Sequence, residues 1–325
     1  INIMLSVCIP VFNDAKNLDN LLESIHDSDL LLHNYEILVS DGNSIDLIDN
    51  VISKWSKSLN LALIKNHFKS SKSVNLNRAI DQSSGDIVVI LDSHCLVSPN
   101  YFNVGQSKLV ENYNNFCAVG PSVSIVGESK GLISEVIAKL YLSPFLLGPS
   151  KYKKTVFYQD FEGEVDFIFC GFFFSQDVKD INGFNETLQR KQDVEFLTRL
   201  KKNTNKKLLN SFKLNITYVL KQDSFFSFLV RVFYQGQLTF DDFSSSRLVH
   251  FIPIISVSFF VIIALINFEM AFLFLFIYIF ISFLFAYLEL KNIFKSIVSI
   301  FLFPLAHTSF VLGNVYKLIK YVFKS

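Results

Sequence analysis

The chain lacks the glycine-rich phosphate cradles of the commonest nucleotide enzymes. It has no Gly-x-Gly-x-x-Gly and no Gly-x-x-x-x-Gly-Lys-Ser/Thr. Hydride transfer and P-loop hydrolysis therefore lose their usual sites, and any phosphate must be met by a metal or by Lys and Arg. Excess charge is also missing: 30 Lys and Arg stand against 29 Asp and Glu, a formal net charge of +1. That leaves no basic field of the kind nucleic-acid binding needs. Four cysteines, Cys8, Cys95, Cys117 and Cys170, are widely spaced and show no paired ligand spacing. Cys8, Cys117 and Cys170 sit in apolar surroundings and read as inert core residues of a reducing compartment. Ile1 to Pro10 carries no basic n-region and reads as a strand rather than a signal peptide. Acid is nearly absent from the C-terminal part, where only Glu269 and Glu289 follow His250.

What that part has instead is length of apolar chain. Residues 251–268, 270–288 and 296–316 are runs of eighteen, nineteen and twenty-one residues without Asp, Glu, Lys or Arg. About 20 apolar residues cross a bilayer core, so the first two are expected to span it as a tight hairpin around Asn267. The third holds Pro304 and His307, which would have to face protein or an interface, and its crossing stays open. Lys291 and Lys295 after the second run point to the cytosolic side. The expected organisation is a soluble domain over residues 1–245 and a membrane domain over 246–325. The expected location is the inner (cytoplasmic) membrane, multi-pass, with the large domain in the cytosol. Leu132, Ile133, Val136, Ile137, Leu140 and Tyr141 repeat at helical spacing, as do Phe225, Phe226, Phe228, Leu229, Val232 and Phe233. Packing on a core and docking on a membrane surface both fit these two stripes.

The first 245 residues alternate strands and helices. Strands are expected at Leu5–Val11, Tyr35–Ser40, Ala62–Asn66 and after Asp86, with helices after Asn13, near Ile45–Lys57 and over Val74–Gln82. That order implies an α/β fold with a doubly wound, mostly parallel sheet, whose ligands bind beyond the carboxyl ends of the strands. The segment Asp86-Ile-Val-Val-Ile-Leu-Asp92-Ser-His94 reads as a fully buried strand ending in a carboxylate and an imidazole. In extended chain i and i+2 point the same way, so Asp92 and His94 can reach one ion. That pair suits Mn²⁺ or Mg²⁺ when a diphosphate supplies further oxygens. The bland readings are a turn or cap Asp at Asp92 and a turn Asp before Gly42 at Asp41. Lys72 and Arg78 are candidates for phosphate charge, against their ordinary reading as solvated helix charges.

Six motifs occur in order: Ser6-Val-Cys-Ile-Pro10-Val-Phe12-Asn13, Asp41-Gly-Asn-Ser, Leu76-Asn77-Arg-Ala-Ile, Asp92-Ser-His94, Gly183-Phe184-Asn185-Glu186 and Gln192-Asp193-Val-Glu195-Phe. The chain resembles the family 2 inverting glycosyltransferases of GT-A fold. It is most similar to membrane-anchored enzymes of succinoglycan-type exopolysaccharide assembly. That subgroup carries Asp-x-His, Leu-Asn and Gln-Asp, and a Ser-Pro-Phe…Gly segment matched by Ser143-Pro144-Phe145…Gly148. The resemblance implies that Pro10, Phe12, Asn13, Asp41, Asn77 and Asp92 bind a nucleotide-diphospho-sugar. It implies that Asp92 and His94 hold a divalent metal, Mn²⁺ or Mg²⁺. It makes Asp193 the general base for an acceptor hydroxyl, against the alternative of an N-terminal helix charge and with Glu195 as rival. Asp166, Gly171, Gln192, Arg231 and Gln235 would border the acceptor or the diphosphate. Val165 and Cys170 belong to the same border. The processive Gln-x-x-Arg-Trp is absent: Arg231-Val-Phe-Tyr-Gln235-Gly236-Gln237 stands in its place. Single-sugar transfer to a lipid-linked saccharide is the implied activity. The alternatives are a polyprenyl-phosphate sugar synthase and a non-catalytic, membrane-anchored carbohydrate-binding relative.

Overall fold

The computed structural model describes residues 3–141, 143–147, 160–188, 191–221, 224–241 and 251–323. In chain order the elements begin β1 (Met4–Val11), α1 (Ala15–His26), β2 (Asn34–Asp41), α2 (Ile48–Trp55), β3 (Leu61–Lys65), α3 (Lys72–Gln82) and β4 (Ile87–Ile90). They continue β5 (Cys95–Val97), α4 (Tyr101–Asn112), β6 (Phe116–Gly127), α5 (Leu132–Leu140), α6 (Pro144–Leu147), β7 (Gly163–Val165) and β8 (Gly171–Phe174). Then come α7 (Ser175–Asp180), α8 (Gln192–Thr204), β9 (Lys207–Leu220), α9 (Phe225–Asp241), α10 (Ile252–Ile266), α11 (Phe268–Leu290) and α12 (Ile293–Val322). Contacts divide them into two compact units. The first is Ile1–Ser124 with Lys154–Val219, the second Ile125–Lys153 with Leu220–Ser325. The boundary expected at 245/246 falls in residues 242–250, outside the described set. The sequence-based division put the stripes of α5 and α9 with the soluble domain; by contacts both belong to the second unit.

The first unit is built on a mixed sheet of order β3-β2-β1-β4-β8-β6-β9-β5, with β7 beside β9. Its β3-β2-β1-β4 half is parallel. Pairing turns antiparallel at β8, so the sheet is parallel only where nucleotide-binding folds place their switch point. Leu5, Val7, Cys8 and Ile9 of β1 are wholly buried, as a parallel strand covered on both faces requires. Helix α1 turns Leu18, Leu21, Leu22 and Ile25 into the core. Each such side chain is worth roughly 1.5–3 kcal/mol relative to exposure. Register sets the rim: Val11 lies opposite Asp41, and Cys8 opposite Ile90, two residues before Asp92. Three parallel strands therefore deliver Phe12, Asn13, Asp41 and Asp92 to one edge.

The second unit is helical. Helix α10 has 15 residues, about 22 Å at 1.5 Å per residue, short of the about 30 Å of a bilayer core. By length, the run 251–268 forms a short apolar helix. Helices α11 and α12, of 23 and 30 residues, are long and apolar enough to cross a membrane. Pro304 lies inside α12, and the helix runs on through it. Asparagines make the breaks: Asn267 Oδ1 accepts from Met270 N at 3.1 Å and Asn292 Oδ1 from Lys295 N at 3.0 Å. His307 faces protein, its Nδ1 2.6 Å from Tyr278 Oη and its Nε2 3.0 Å from the Phe145 carbonyl. Helix α9 lies against α12 through two glycines. A Cβ on Gly236 would sit 2.1 Å from the Phe310 carbonyl oxygen, and one on Gly313 2.0 Å from that of Phe233. Small residues let two backbones touch, the packing mode favoured between apolar helices. Gly148 of the Ser-Pro-Phe…Gly segment lies outside the described residues.

Candidate active site

The β1–α1 and β2–α2 turns lock together. Asn13 holds φ 49°, a left-handed conformation asparagine tolerates. Its N–H donates to Ser44 Oγ at 2.7 Å, and its Oδ1 accepts from Ile45 N at 2.9 Å. Asp41, buried at the end of β2, accepts from Ser44 N at 3.0 Å and Ser44 Oγ at 2.6 Å. The turn reading of Asp41 is thus physically present, and it shapes the same edge. Pro10 is buried in β1 opposite Ser40, whereas Phe12 is 38% exposed with the Lys69 ammonium 5.1 Å from its ring centre.

The carboxylates converge further along the edge. Asp92 leaves the end of β4 and Asp193 the first turn of α8. Lys72, the first residue of α3, lies between them. Its Nζ is 2.8 Å from Asp92 Oδ1, 3.2 Å from Asp92 Oδ2 and 3.5 Å from Asp193 Oδ2. This corrects the reading of Lys72 as a solvated helix charge. A lysine at a helix N-terminus opposes the helix dipole, and here two acids offset that cost. Burial favours a neutral Lys72, but Asp92 and Asp193 outweigh it and hold the ammonium charged above its ordinary range. Burial pushes Asp92 up; Lys72 and His94 override it and leave the carboxyl below its usual value. Asp193 goes the other way: burial, helped by Asp92, raises it despite Lys72. Two acids on one lysine are therefore driven apart, Asp92 downward and Asp193 upward.

His94 turns to a third acid. Its Nδ1 is 3.6 Å from Asp14 Oδ2, and its ring packs edge-on against Tyr218 at 4.8 Å. Asp14 itself accepts from Ser93 Oγ at 2.7 Å and Asn17 Nδ2 at 2.8 Å. Among the described residues no three His, Cys, Asp or Glu side chains form a metal-holding group. Asp92 with His94 offers two ligands. That donor set fits a hard cation that takes its remaining oxygens from substrate phosphates and water.

A cavity beside this cluster is lined by Lys72, Asp92, Cys170, Phe184, Asp193 and Phe196. Phe184 and Phe196 stack at 4.1 Å and form its apolar wall. Cys170 is only partly buried and has φ 55°, so it is a wall of the site rather than the inert core residue expected. Gly171 follows at φ 158°, where a Cβ would lie 2.8 Å from the Val119 carbonyl oxygen. Val165 is buried in β7, Asp166 is partly buried just after it, and Gln192 opens α8 one residue before Asp193. Asn77 is a clamp: Oδ1 accepts from Phe184 N at 2.7 Å, and Nδ2 donates to Phe184 O and Glu186 Oε1, both at 2.9 Å. Glu195, the rival base, is bound by the Arg199 guanidinium, which also donates to Gly183 O at 2.7 Å. Arg78 stands 5.7 Å from the Phe68 ring, away from the acids' contacts. Arg231 and Gln235 belong to α9 of the second unit, where Arg231 stands 5.2 Å from the Tyr141 ring.

Residues 6–181, more than half of the chain, match the profile of glycosyl transferase family 2. The chain belongs to that family. A dolichyl N-acetyl-alpha-D-glucosaminyl phosphate 3-beta-D-2,3-diacetamido-2,3-dideoxy-beta-D-glucuronosyltransferase of Methanococcus voltae is 28% identical over 153 residues, 45% of this chain and 46% of that one. A GalNAc(5)-diNAcBac-PP-undecaprenol beta-1,3-glucosyltransferase of Campylobacter jejuni is 33% identical over 90 residues, 27% of this chain and 28% of that one. The chain thus spans less than half the length of these curated relatives. Among solved structures, a mannosyltransferase from Pyrobaculum calidifontis, in complex with GDP-Man and Mn²⁺, aligns over 97% of this chain and 87% of its own. Its TM-score is 0.57 at 15% identity. S. aureus TarS 1–349 in complex with UDP covers 90% of this chain and 88% of its own, with TM-score 0.53 and 16% identity. At such identity these two establish the fold, a GT-A glycosyltransferase fold.

One site residue escaped sequence reasoning: Asp14, the residue before α1, was given no role. Lys72 carried one usable signal: it follows Ser71, whose Oγ caps α3 by accepting from Val74 N, so it starts a helix aimed at the strand rim.

Proposed function

We propose that this family 2 member is an inverting glycosyltransferase. It moves one sugar from a nucleotide-diphospho-sugar to a lipid-linked saccharide in the assembly of a cell-surface glycan. The observation that carries the reading is the placement of Asp92 and Asp193 about one ammonium, 2.8 Å and 3.5 Å from Lys72 Nζ, with Asp92 on the edge where the parallel strands end. Phe12, Asn13 and Asp41 offer the nucleotide an aromatic face and a hydrogen-bonded turn. Asp92 and His94 would hold a divalent cation, Mn²⁺ or Mg²⁺, which neutralises charge on the departing diphosphate. The Mn²⁺ in the Pyrobaculum enzyme's complex supports that assignment. Asp193 takes the acceptor's hydroxyl proton while that oxygen bonds the anomeric carbon and the sugar–phosphate bond breaks. One displacement inverts the centre, and the pair of electrons leaves with the nucleotide diphosphate. Gly171 and Asp166 edge the acceptor side, and Asn77 keeps the Phe184 wall in place.

The lipid-linked acceptor is supported by the dolichyl and undecaprenol substrates in the relatives' names, and by α11 and α12. We place the protein in the cytoplasmic membrane, held there by α11 and α12. Purified full-length protein in detergent, given a panel of nucleotide sugars and short lipid diphosphate-linked saccharides, tests the reading. Release of nucleotide diphosphate with an inverted product supports it. Transfer to bare polyprenyl phosphate, undiminished in Asp193→Asn, overturns it in favour of the lipid-phosphate synthase, whose nucleophile is already ionised.

A further inference from the structure

Lys72 is the feature that neither the family's motifs nor the reaction above accounts for. An ammonium so close to both oxygens of Asp92 uses the carboxylate as a bidentate acceptor. A divalent cation binds a carboxylate oxygen at about 2.0–2.2 Å and would place two like charges side by side. Ammonium and metal are therefore alternatives at Asp92. The lysine stem is flexible and its three donors rotate, so it can leave without the helix moving. The Lys72 side chain is 29% exposed, against 11% for Asp92. When it leaves Asp92 it also loosens from Asp193, 3.5 Å away. A phosphate oxygen is the acceptor that incoming donor brings to the same edge.

We propose that Lys72 is an exchangeable counter-ion. In the donor-free protein it occupies Asp92 and quiets Asp193; on donor binding it passes to the donor's phosphate and yields Asp92 to the cation. This rests on the reading of Asp92 as a cation ligand. It makes Lys72 a positioning residue that couples nucleotide arrival to cation binding and to release of the base, so that acid and base are not left free to activate water.

The test is binding rather than turnover. Mn²⁺ affinity is measured by electron paramagnetic resonance on full-length protein in detergent, without nucleotide. Affinity for UDP and for GDP is then measured by calorimetry in saturating Mn²⁺. In Lys72→Met, Mn²⁺ should bind tighter by about tenfold or more, as for other changes beside metal ligands. The preferred nucleotide should bind weaker by about tenfold, the loss of one charge-assisted contact. Lys72→Arg should restore much of the nucleotide affinity. Opposite signs are the signature. If both affinities fall together in a variant with wild-type circular dichroism, Lys72 is only a strut; if neither moves, it is a bystander. Either result overturns the proposal. Asp92→Asn separates the two levels. Loss of Mn²⁺ binding keeps the cation at Asp92 whatever Lys72 does. Unchanged Mn²⁺ binding removes the cation assignment first, and the counter-ion with it.

Discussion

The two units hold their polar groups in different surroundings. In the helical unit Ser143 donates to Glu289, His307 meets Tyr278 and the Phe145 carbonyl, and Glu135, 44% exposed, takes both Lys139 and Lys295. On the edge of the sheet one lysine is shared by two acids, and His94 stands 3.6 Å from Asp14, beyond hydrogen-bond length. Exposed contacts of this kind hold a scaffold. A lysine shared by two acids inside a buried cluster leaves charge that a ligand can claim, and it drives neighbouring pKa values apart.

That contrast can be broken at its strongest point. Asp193→Asn keeps shape but accepts no proton, and kcat should fall on the order of 10² to 10⁴-fold. Donor affinity should stay within a few-fold, and Glu195→Gln should mainly loosen the Arg199 contact. Steady-state kinetics of both variants decide; a dead Glu195→Gln beside an active Asp193→Asn would reassign the base. Next in size is the helical scaffold. Gly313→Leu must push against the Phe233 carbonyl and should destabilise the second unit by about 1–3 kcal/mol or more. A thermal melt in detergent reads this, and an unchanged transition would remove the α9–α12 contact from the fold.

A pH profile sharpens the contrast. The raised Asp193 must be deprotonated to act, so the acid limb of kcat/KM should lie above the ordinary aspartate range and vanish in Asp193→Asn. The stability signs differ for the two acids. Asp92, held low, contributes stability that is present above its unfolded value and lost as pH falls through its folded value. Asp193, held high, contributes below its unfolded value and loses that contribution as pH rises through its folded value. Proton uptake on unfolding, followed by calorimetry in buffers of different ionisation heat, checks both. The smallest effect belongs to an exposed contact. Lys295 draws Glu135 below its usual value, but Glu135 is 44% exposed, so Glu135→Gln should cost no more than about 1 kcal/mol. A loss of several kcal/mol in the same melt would show that scaffold pairs are not the weak partners described here.

Much of the first unit was legible because its signals are local. The runs 5–9 and 87–91, apolar but for Ser6, read as buried strands, and a carboxylate directly after the second lies on a rim. The elements expected around Tyr35, Ala62 and Val74 appear as β2, β3 and α3 within a few residues. The length of α10 was not legible. The eighteen-residue run 251–268 is broken at Asn267, which caps the next helix and leaves 15 residues in this one. Nor was the place of α5, whose stripe suits a core and a membrane surface equally and which groups with the C-terminal helices across 160 residues of sequence.

By itself the sequence determined the strand–helix alternation, the rim position of Asp41 and Asp92, and the apolar helices, since each follows from side-chain period and chain length. Only the tertiary structure decided that Lys72 bridges Asp92 and Asp193, because their separations of 20 and 121 residues carry no pattern. That bridge exists through the register of β1 with β4 and the placement of α8, and the opposed pKa shifts of the two acids follow from burial and distance, which no linear motif encodes.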